Sequence, residues 1–248
     1  MKSKNMNKIT ILIPTYNRAS LISKTLDNCF HQTCKDFCIL IYDDASTDNT
    51  SQIIKDFQRK YPNRISYFKG EKNMGIGYSR KKLLEEFNTE FGVWLDSDDY
   101  MKISRLEQCL LYMNKHKDVD IVYSYLKRFH EESGEFTPMG SDITLDVTRY
   151  DKESYQSLKS NTACATAFFR NKLKFHDTVP LRYGSEDVLW LWKLLNLNIK
   201  VGQISEALYF YRSHNDRIGI KKKNLNKEAK IPEELIIHEK IKEYRNHE

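Results

Sequence analysis

Along the first hundred residues, short apolar runs alternate with longer stretches whose apolar positions recur three or four apart. Ile9-Thr10-Ile11-Leu12-Ile13 is apolar and β-branched, as a strand buried on both faces must be, and Pro14 predicts its end. Ser20 is the expected cap of a helix carrying Ile22, Leu26 and Cys29/Phe30 on one side. A second strand is predicted over 37–42. Ser46 or Thr47 should open a second helix with Ile53, Ile54, Phe57 and Tyr61 on one face. A strand over 65–68, a helix over 78–87 and a strand over 91–95 complete the series. Strands separated by helices of roughly 10–15 residues imply a mostly parallel sheet.

After Leu106 the pattern loosens. A helix through Leu110 and Met113 leads to a strand over 120–125, and the polar stretch 131–146 reads as a hairpin or mobile loop. Residues 162–169 read as a strand or a short helix near the site. Ser185 is the expected cap of a helix bearing Val188, Leu189, Trp192 and Leu195. Short strands are predicted over 199–201 and 207–211, and a charged amphipathic helix with Ile231, Leu235, Ile236 and Ile241 follows Asn224.

In an open parallel sheet, ligands bind beyond the carboxyl ends of the strands. Three polar clusters fall at such ends: Thr15-Tyr16-Asn17-Arg18, Asp43-Asp44 and Asp96-Ser97-Asp98-Asp99. The adjacent carboxylates of the third repel one another unless a positive group lies among them. A divalent cation bound to phosphates would neutralise them, since Mg²⁺ and Mn²⁺ take a few carboxylate oxygens plus phosphate oxygens and water. The alternative is a solvated acidic turn capping the next helix. Asp43-Asp44 could accept hydrogen bonds from a ribose or a base, or could cap the following helix. Asn73-Met74-Gly75-Ile76-Gly77, ahead of Arg80 and Lys81, is either an anion-binding turn or an ordinary glycine turn. Glu186-Asp187 supplies either a general base or first-turn charge for a helix. His214, after Tyr211-Arg212-Ser213, is a ligand or a structural histidine.

Composition narrows the class. The 248 residues are 40% hydrophobic and 30% charged, the balance of a soluble globular chain with room for a real core. No apolar run approaches the roughly 18 residues of a membrane span. The polar stretch before Ile9 lacks a signal-type apolar core, so the cytoplasm is the expected compartment. Cys29, Cys34, Cys38, Cys109 and Cys164 form no CxxC pair and read as reduced structural thiols. The net charge of +6 is scattered apart from Lys221-Lys222-Lys223, which argues against a nucleic-acid partner. It suits a polyanionic substrate, an anionic membrane face or simply a lysine-rich surface.

Taken in order over about residues 8–215, these motifs resemble the family 2 glycosyltransferases. Pro14-Thr15-Tyr16-Asn17-Arg18 is similar to the family's first-strand motif. Asp43-Asp44-Ala45-Ser46-Thr47-Asp48 is similar to its second, with Ala45 where glycine is usual. Asn73-Met74-Gly75 with Arg80 resembles the third, Trp94-Leu95-Asp96-Ser97-Asp98-Asp99 the DxD motif, Glu186-Asp187 the late acid pair, and Tyr211-Arg212-Ser213-His214 the closing motif.

The resemblance implies an α/β fold of the GT-A (Rossmann-like) type. Its mostly parallel central sheet would be flanked by helices, with a small antiparallel part in the acceptor half. Residues 1–105 would form the nucleotide-sugar-binding half. Residues 106–215 would form the acceptor-binding and catalytic-base half of the same domain, and 216–248 a C-terminal helical tail. It implies an inverting transfer of a sugar from a UDP-linked or other nucleotide-diphosphate donor to a hydroxyl. The acceptor would be a glycan, a lipid-linked intermediate or a wall or capsule polymer. Pro14, Thr15, Tyr16, Asn17, Arg18, Asp44, Asn73, Gly75, Arg80, Asp96 and Ser97 would bind the donor. Asp98 and His214 would hold Mn²⁺ or Mg²⁺, Asp187 would be the base with Glu186 beside it, and Asp99 receives no role.

Ala45 departs from the pattern because alanine tolerates positive φ poorly. The absence of an evident second catalytic module argues against a processive membrane synthase and for a cytoplasmic or peripherally attached enzyme. The tail could meet a membrane or a second copy of the chain, or could be a solvated or packed helix. A glycan-binding module that has lost catalysis is the rival from another class, and intact Asp98, Asp187 and His214 argue against it. A nucleotidyltransferase would place a glycine-rich basic loop where Thr15-Tyr16-Asn17-Arg18 stands.

Overall fold

The structure is a computed structural model that describes residues 7–138, 166–173, 190 and 199–214. One sheet organises them, in the order β3-β2-β1-β4-β8-β6-β9-β5, with β7 paired to β6. Its first half is parallel: β1 (Ile9–Thr15), β2 (Phe37–Asp43), β3 (Ile65–Lys69) and β4 (Phe91–Trp94) all run one way. Beyond β4, β6 (Ile121–His130) and β9 (Val201–Ser213) keep that direction. Three short strands run against it: β5 (Tyr100–Met101), β7 (Phe136–Pro138) and β8 (Phe168–Arg170). Of these, β7 and β8 lie in the second half of the chain, as expected, whereas β5 lies just before it.

Every residue of β1 is buried because helices cover both of its faces. Ile9, Ile11 and Ile13 share a core with Ile22, Leu26 and Cys29 of α1 (Ile22–Phe30), Ile54 of α2 (Thr50–Lys60), and Leu106, Cys109 and Met113 of α4 (Arg105–Lys115). The helix α3 (Ile76–Glu86) packs on β1 and β2. Just past its end, Phe87 meets Phe169 edge to face at 5.8 Å, and Phe169 lies 6.0 Å from Trp94.

Several predicted boundaries are corrected. Pro14 does not stop β1. Leu12 O accepts from Leu95 N–H on the β4 side and Thr15 O from Asp44 N–H on the β2 side. Alternation then puts the Pro14 nitrogen on the β4 side, beyond the last pair at Leu12–Trp94, where its missing N–H removes no ladder bond. Ser20 does not cap α1. The cap position is Leu21, without a side-chain bond, and Arg18 O accepts the N–H groups of Leu21 and Ile22 instead. Neither Ser46 nor Thr47 opens α2. Those residues bond to the β1 end, and the helix starts at Thr50, whose N–H donates to Asp48 Oδ1 at 3.0 Å. The two short late strands are one 13-residue strand, β9, which bulges where it passes Ser124–Leu126. β5 was not foreseen. The predicted helix after Ser185, the tail, Cys164 and most of 131–165 lie outside the described residues.

Candidate active site

The loops at the carboxyl ends of β1, β2 and β4 meet through short polar contacts. Asn17 stands at φ 49°. Its N–H donates to Ser46 Oγ at 2.9 Å and its Oδ1 accepts from Thr47 N–H at 2.8 Å, which joins the β1 and β2 ends. Arg18 N–H donates to Thr50 Oγ1 at 2.8 Å. Pro14 and Thr15 are buried and Tyr16 is 40% exposed. Thr15 Oγ1 is buried without a hydrogen-bond partner, an unusual state for a hydroxyl on a site rim.

Asp44 performs a backbone task. Its carboxylate accepts from Met74 N–H at 2.8 Å and Gly75 N–H at 2.7 Å, clamping the turn that opens α3. Asn73 is half-buried beside that turn. Gly75 holds φ 95° and ψ 166°, a conformation open essentially to glycine alone. Ala45 adopts φ 63°, so the left-handed turn that glycine usually makes is made here by alanine.

The three carboxylates after β4 avoid mutual repulsion by taking different partners. Asp96 Oδ1 accepts from Arg80 Nη2 at 3.0 Å, and the Arg80 guanidinium lies 5.0 Å from the centre of the Trp94 ring. Asp98 Oδ2 is shared by Arg18 Nε at 3.2 Å and His214 Nε2 at 3.0 Å. Asp99 is fully buried. Its Oδ2 accepts from Tyr209 OH at 2.7 Å and its Oδ1 from Arg212 N–H at 3.0 Å. Burial first, and the Asp99 charge second, push the Tyr209 phenol well above its usual range, so it stays a donor. Ser97 is buried, and its carbonyl accepts from Thr25 Oγ1 at 3.1 Å.

Asp98 and His214 are the described residues that could hold a divalent cation. A carboxylate and an imidazole converge within 3.0 Å on the rim, and both side chains keep some exposure, 10% and 12%. Among the described residues no group of three or more histidine, cysteine or acidic side chains could hold a metal alone. Such a pair suits a cation whose remaining positions are filled by phosphate oxygens and water. Arg18 competes for the same oxygen.

Of the residues singled out in the sequence, Thr15, Asn17, Arg18, Asp44, Gly75, Arg80, Asp96, Ser97, Asp98 and His214 gather on this rim. Glu186 and Asp187 lie outside the described residues. Sequence reasoning missed Thr25 and Tyr209, named Arg212 only within the closing motif, and left Asp99 without a role. One signal was available: Thr25 is a polar residue on the buried stripe of α1, between Ile22 and Leu26.

A rim of this kind, at the carboxyl edge of a largely parallel sheet, is where open α/β proteins bind their ligands. Residues 10–176 match the profile of Glycosyl transferase family 2, and the chain belongs to that family. It is 32% identical over 213 residues to the uncharacterized glycosyltransferase MJ1057 of Methanocaldococcus jannaschii, covering 84% of this chain and 71% of that one. It is 25% identical over 215 residues to the poly(ribitol-phosphate) beta-N-acetylglucosaminyltransferase TarS of Staphylococcus aureus, where the match spans 85% of this chain but 36% of TarS. The structure of TarS 1–349 with UDP-GlcNAc shares the fold at a TM-score of 0.67 and 24% identity, covering 85% of this chain and 60% of that one. So does the mannosyltransferase PcManGT of Pyrobaculum calidifontis with GDP-Man and Mn²⁺, at a TM-score of 0.62 and 15% identity over 94% and 69% of the two chains. Among the described residues no helix is long and apolar enough to cross a membrane.

Proposed function

We propose that this chain transfers a sugar from a UDP-sugar to a hydroxyl of a cell-wall, capsule or lipid-linked glycan, with inversion at the anomeric carbon. The observation that carries the reading is the meeting of Asp98 and His214, 116 positions apart, at 3.0 Å on the rim that also holds Thr15, Asp44 and Asp96. TarS, a relative named as a poly(ribitol-phosphate) beta-N-acetylglucosaminyltransferase and solved with UDP-GlcNAc, supports both the donor and the acceptor class.

The residues divide the work. The unpartnered Thr15 hydroxyl, the backbone at Pro14 and Asp44 face the base, and Tyr16 and Asn73 flank it. Asp96, held by Arg80, accepts from the ribose. Asp98 and His214 hold Mn²⁺ or Mg²⁺, a cation that would stabilise negative charge on the departing diphosphate. Arg18 adds a second positive group there. Asp187, with Glu186 beside it, removes the proton of the acceptor hydroxyl as that oxygen attacks the anomeric carbon from the face opposite the diphosphate.

Thermal unfolding in a series of nucleotide sugars, with and without Mn²⁺, tests the class and names the donor. A donor at about 100 times its Kd should add roughly 2.7 kcal/mol, or about 5–10 °C for a chain of this size. No shift with any nucleotide sugar at millimolar concentration would remove the reading.

A further inference from the structure

Asp99 belongs to a buried network that the site chemistry does not use. Its carboxylate joins Tyr209 OH and Arg212 N–H, both on β9. The fully buried Arg212 guanidinium donates from Nη2 to Thr25 Oγ1 at 3.0 Å and lies 4.0 Å from the centre of the Tyr100 ring. Thr25 Oγ1 in turn lies 3.1 Å from both Ser97 O and Asp99 O. Tyr209 OH also accepts from Asp96 N–H at 3.4 Å. The contacts close a loop through α1, residues 96–100 and β9.

Every backbone tie in this loop falls on a neighbour of Asp98 or just before His214. Asp96, Ser97 and Asp99 are held, while the Asp98 side chain between them stays directed at the rim. Arg212 is held two residues ahead of His214. Local chain geometry cannot fix the distance between side chains 116 positions apart, so something must join the β4 turn to the β9 end. The ladder brings the two segments together, with Tyr100 paired to Phe210 and the β6–β9 register regular from Leu126–Tyr209 to His130–Ser213, but it stops short of both His214 and Asp98.

We infer that Asp99, through Tyr209 and Arg212, is a positioning residue that sets the Asp98–His214 distance, and with it the affinity of the site for its cation. This rests on the proposed function for the identity of the ligand, but not for the geometry. Asp99 touches neither donor nor acceptor. Its carboxylate supplies two acceptor atoms at fixed separation, and an amide in its place would turn a donor toward Tyr209 OH or Arg212 N–H.

The test uses the full chain and the variants Tyr209→Phe and Asp99→Asn. Mn²⁺ binding in the presence of UDP is read by electron paramagnetic resonance of the free ion, and UDP binding without metal by calorimetry. Tyr209→Phe, which removes one hydroxyl, should weaken Mn²⁺ binding about tenfold, and Asp99→Asn by at least as much. Metal-free UDP binding should stay within about twofold. Folded variants that bind Mn²⁺ as the parent does, with only a lowered Tm, would reduce the network to a structural one and overturn the inference. If the parent itself binds no Mn²⁺, the metal assignment in the proposed function fails, and the crystal structure of Tyr209→Phe decides the inference separately. An Asp98–His214 separation clearly beyond the present 3.0 Å upholds it, and an unchanged one overturns it. If Tyr209→Phe does not fold, Tyr209→Trp does not replace it. Thr25→Val, which breaks the same loop at α1, is then measured with the same two outcomes.

Discussion

Ala45 and Gly75 occupy left-handed backbone on opposite sides of Asp44, at φ 63° and φ 95°. Exchange of a single methyl group should therefore act with opposite sign at the two positions. An L-residue in the left-handed region costs about 1–2 kcal/mol. Ala45→Gly removes that cost but gives the unfolded chain about 0.4–1 kcal/mol more entropy to lose. The net is a gain of about 0.5–1 kcal/mol. Gly75 is different, because its ψ of 166° belongs to the region closed to side chains. Alanine there costs about 1–3 kcal/mol. Relaxing the turn would also stretch the bonds from Met74 and Gly75 to Asp44, now 2.8 and 2.7 Å. Gly75→Ala should therefore lose about 2 kcal/mol net. For a chain of this length 1 kcal/mol moves Tm by about 2–4 °C. Differential scanning fluorimetry should show a rise of about 1–4 °C for Ala45→Gly and a fall of about 4–8 °C for Gly75→Ala. Gly75→Ala should also bind UDP more weakly, because Asp44 and the α3 turn move together. A lower Tm for Ala45→Gly, or an unchanged one for Gly75→Ala, would refute the account of strain.

Two further predictions concern chemistry. Asp187→Asn should lower kcat by at least about 100-fold, the usual contribution of a general base, while donor binding stays within about twofold. Full activity would sink that assignment. Asp98→Ala should instead weaken metal-dependent donor binding, read as the Mn²⁺ concentration for half-maximal thermal protection. Finally, burial pushes the Cys109 thiol up to about 12 and the Cys29 thiol higher still, with Arg105 opposing both more weakly. Alkylation of the native protein at pH 8, followed by peptide mass spectrometry, should label Cys34 and Cys38 long before Cys29 and Cys109. Equal labelling would contradict the burial.

The clusters that mattered were readable because each lies within a few residues of a strand end. Asp96, Asp98 and Asp44 reach the rim by the same rule that sends any residue after a parallel strand to its carboxyl edge. Partners were not readable. Asp44 was read as a ligand for a ribose or a base or as a cap for the following helix, and its clamp on the turn of α3, some 30 positions on, had no local signal. The Asp98–Arg18 pair spans 80 positions, and no local spacing announces it. Pro14 misled for a related reason: whether a missing N–H breaks a strand depends on which neighbour that nitrogen faces.

By itself, then, the sequence determined the periodicity of the elements, the parallel half of the sheet and the placement of polar residues at its carboxyl edge. All of these follow from side-chain pattern over short stretches. The tertiary structure decided the register of β9 against β6, the closed contacts among Thr25, Asp99, Tyr209 and Arg212, and so the approach of His214 to Asp98. Those distances arise where segments far apart in the chain are packed to a single arrangement by burial. Only there does Asp99 acquire a part: the fourth residue of an acidic turn ties that turn to β9 from within the core.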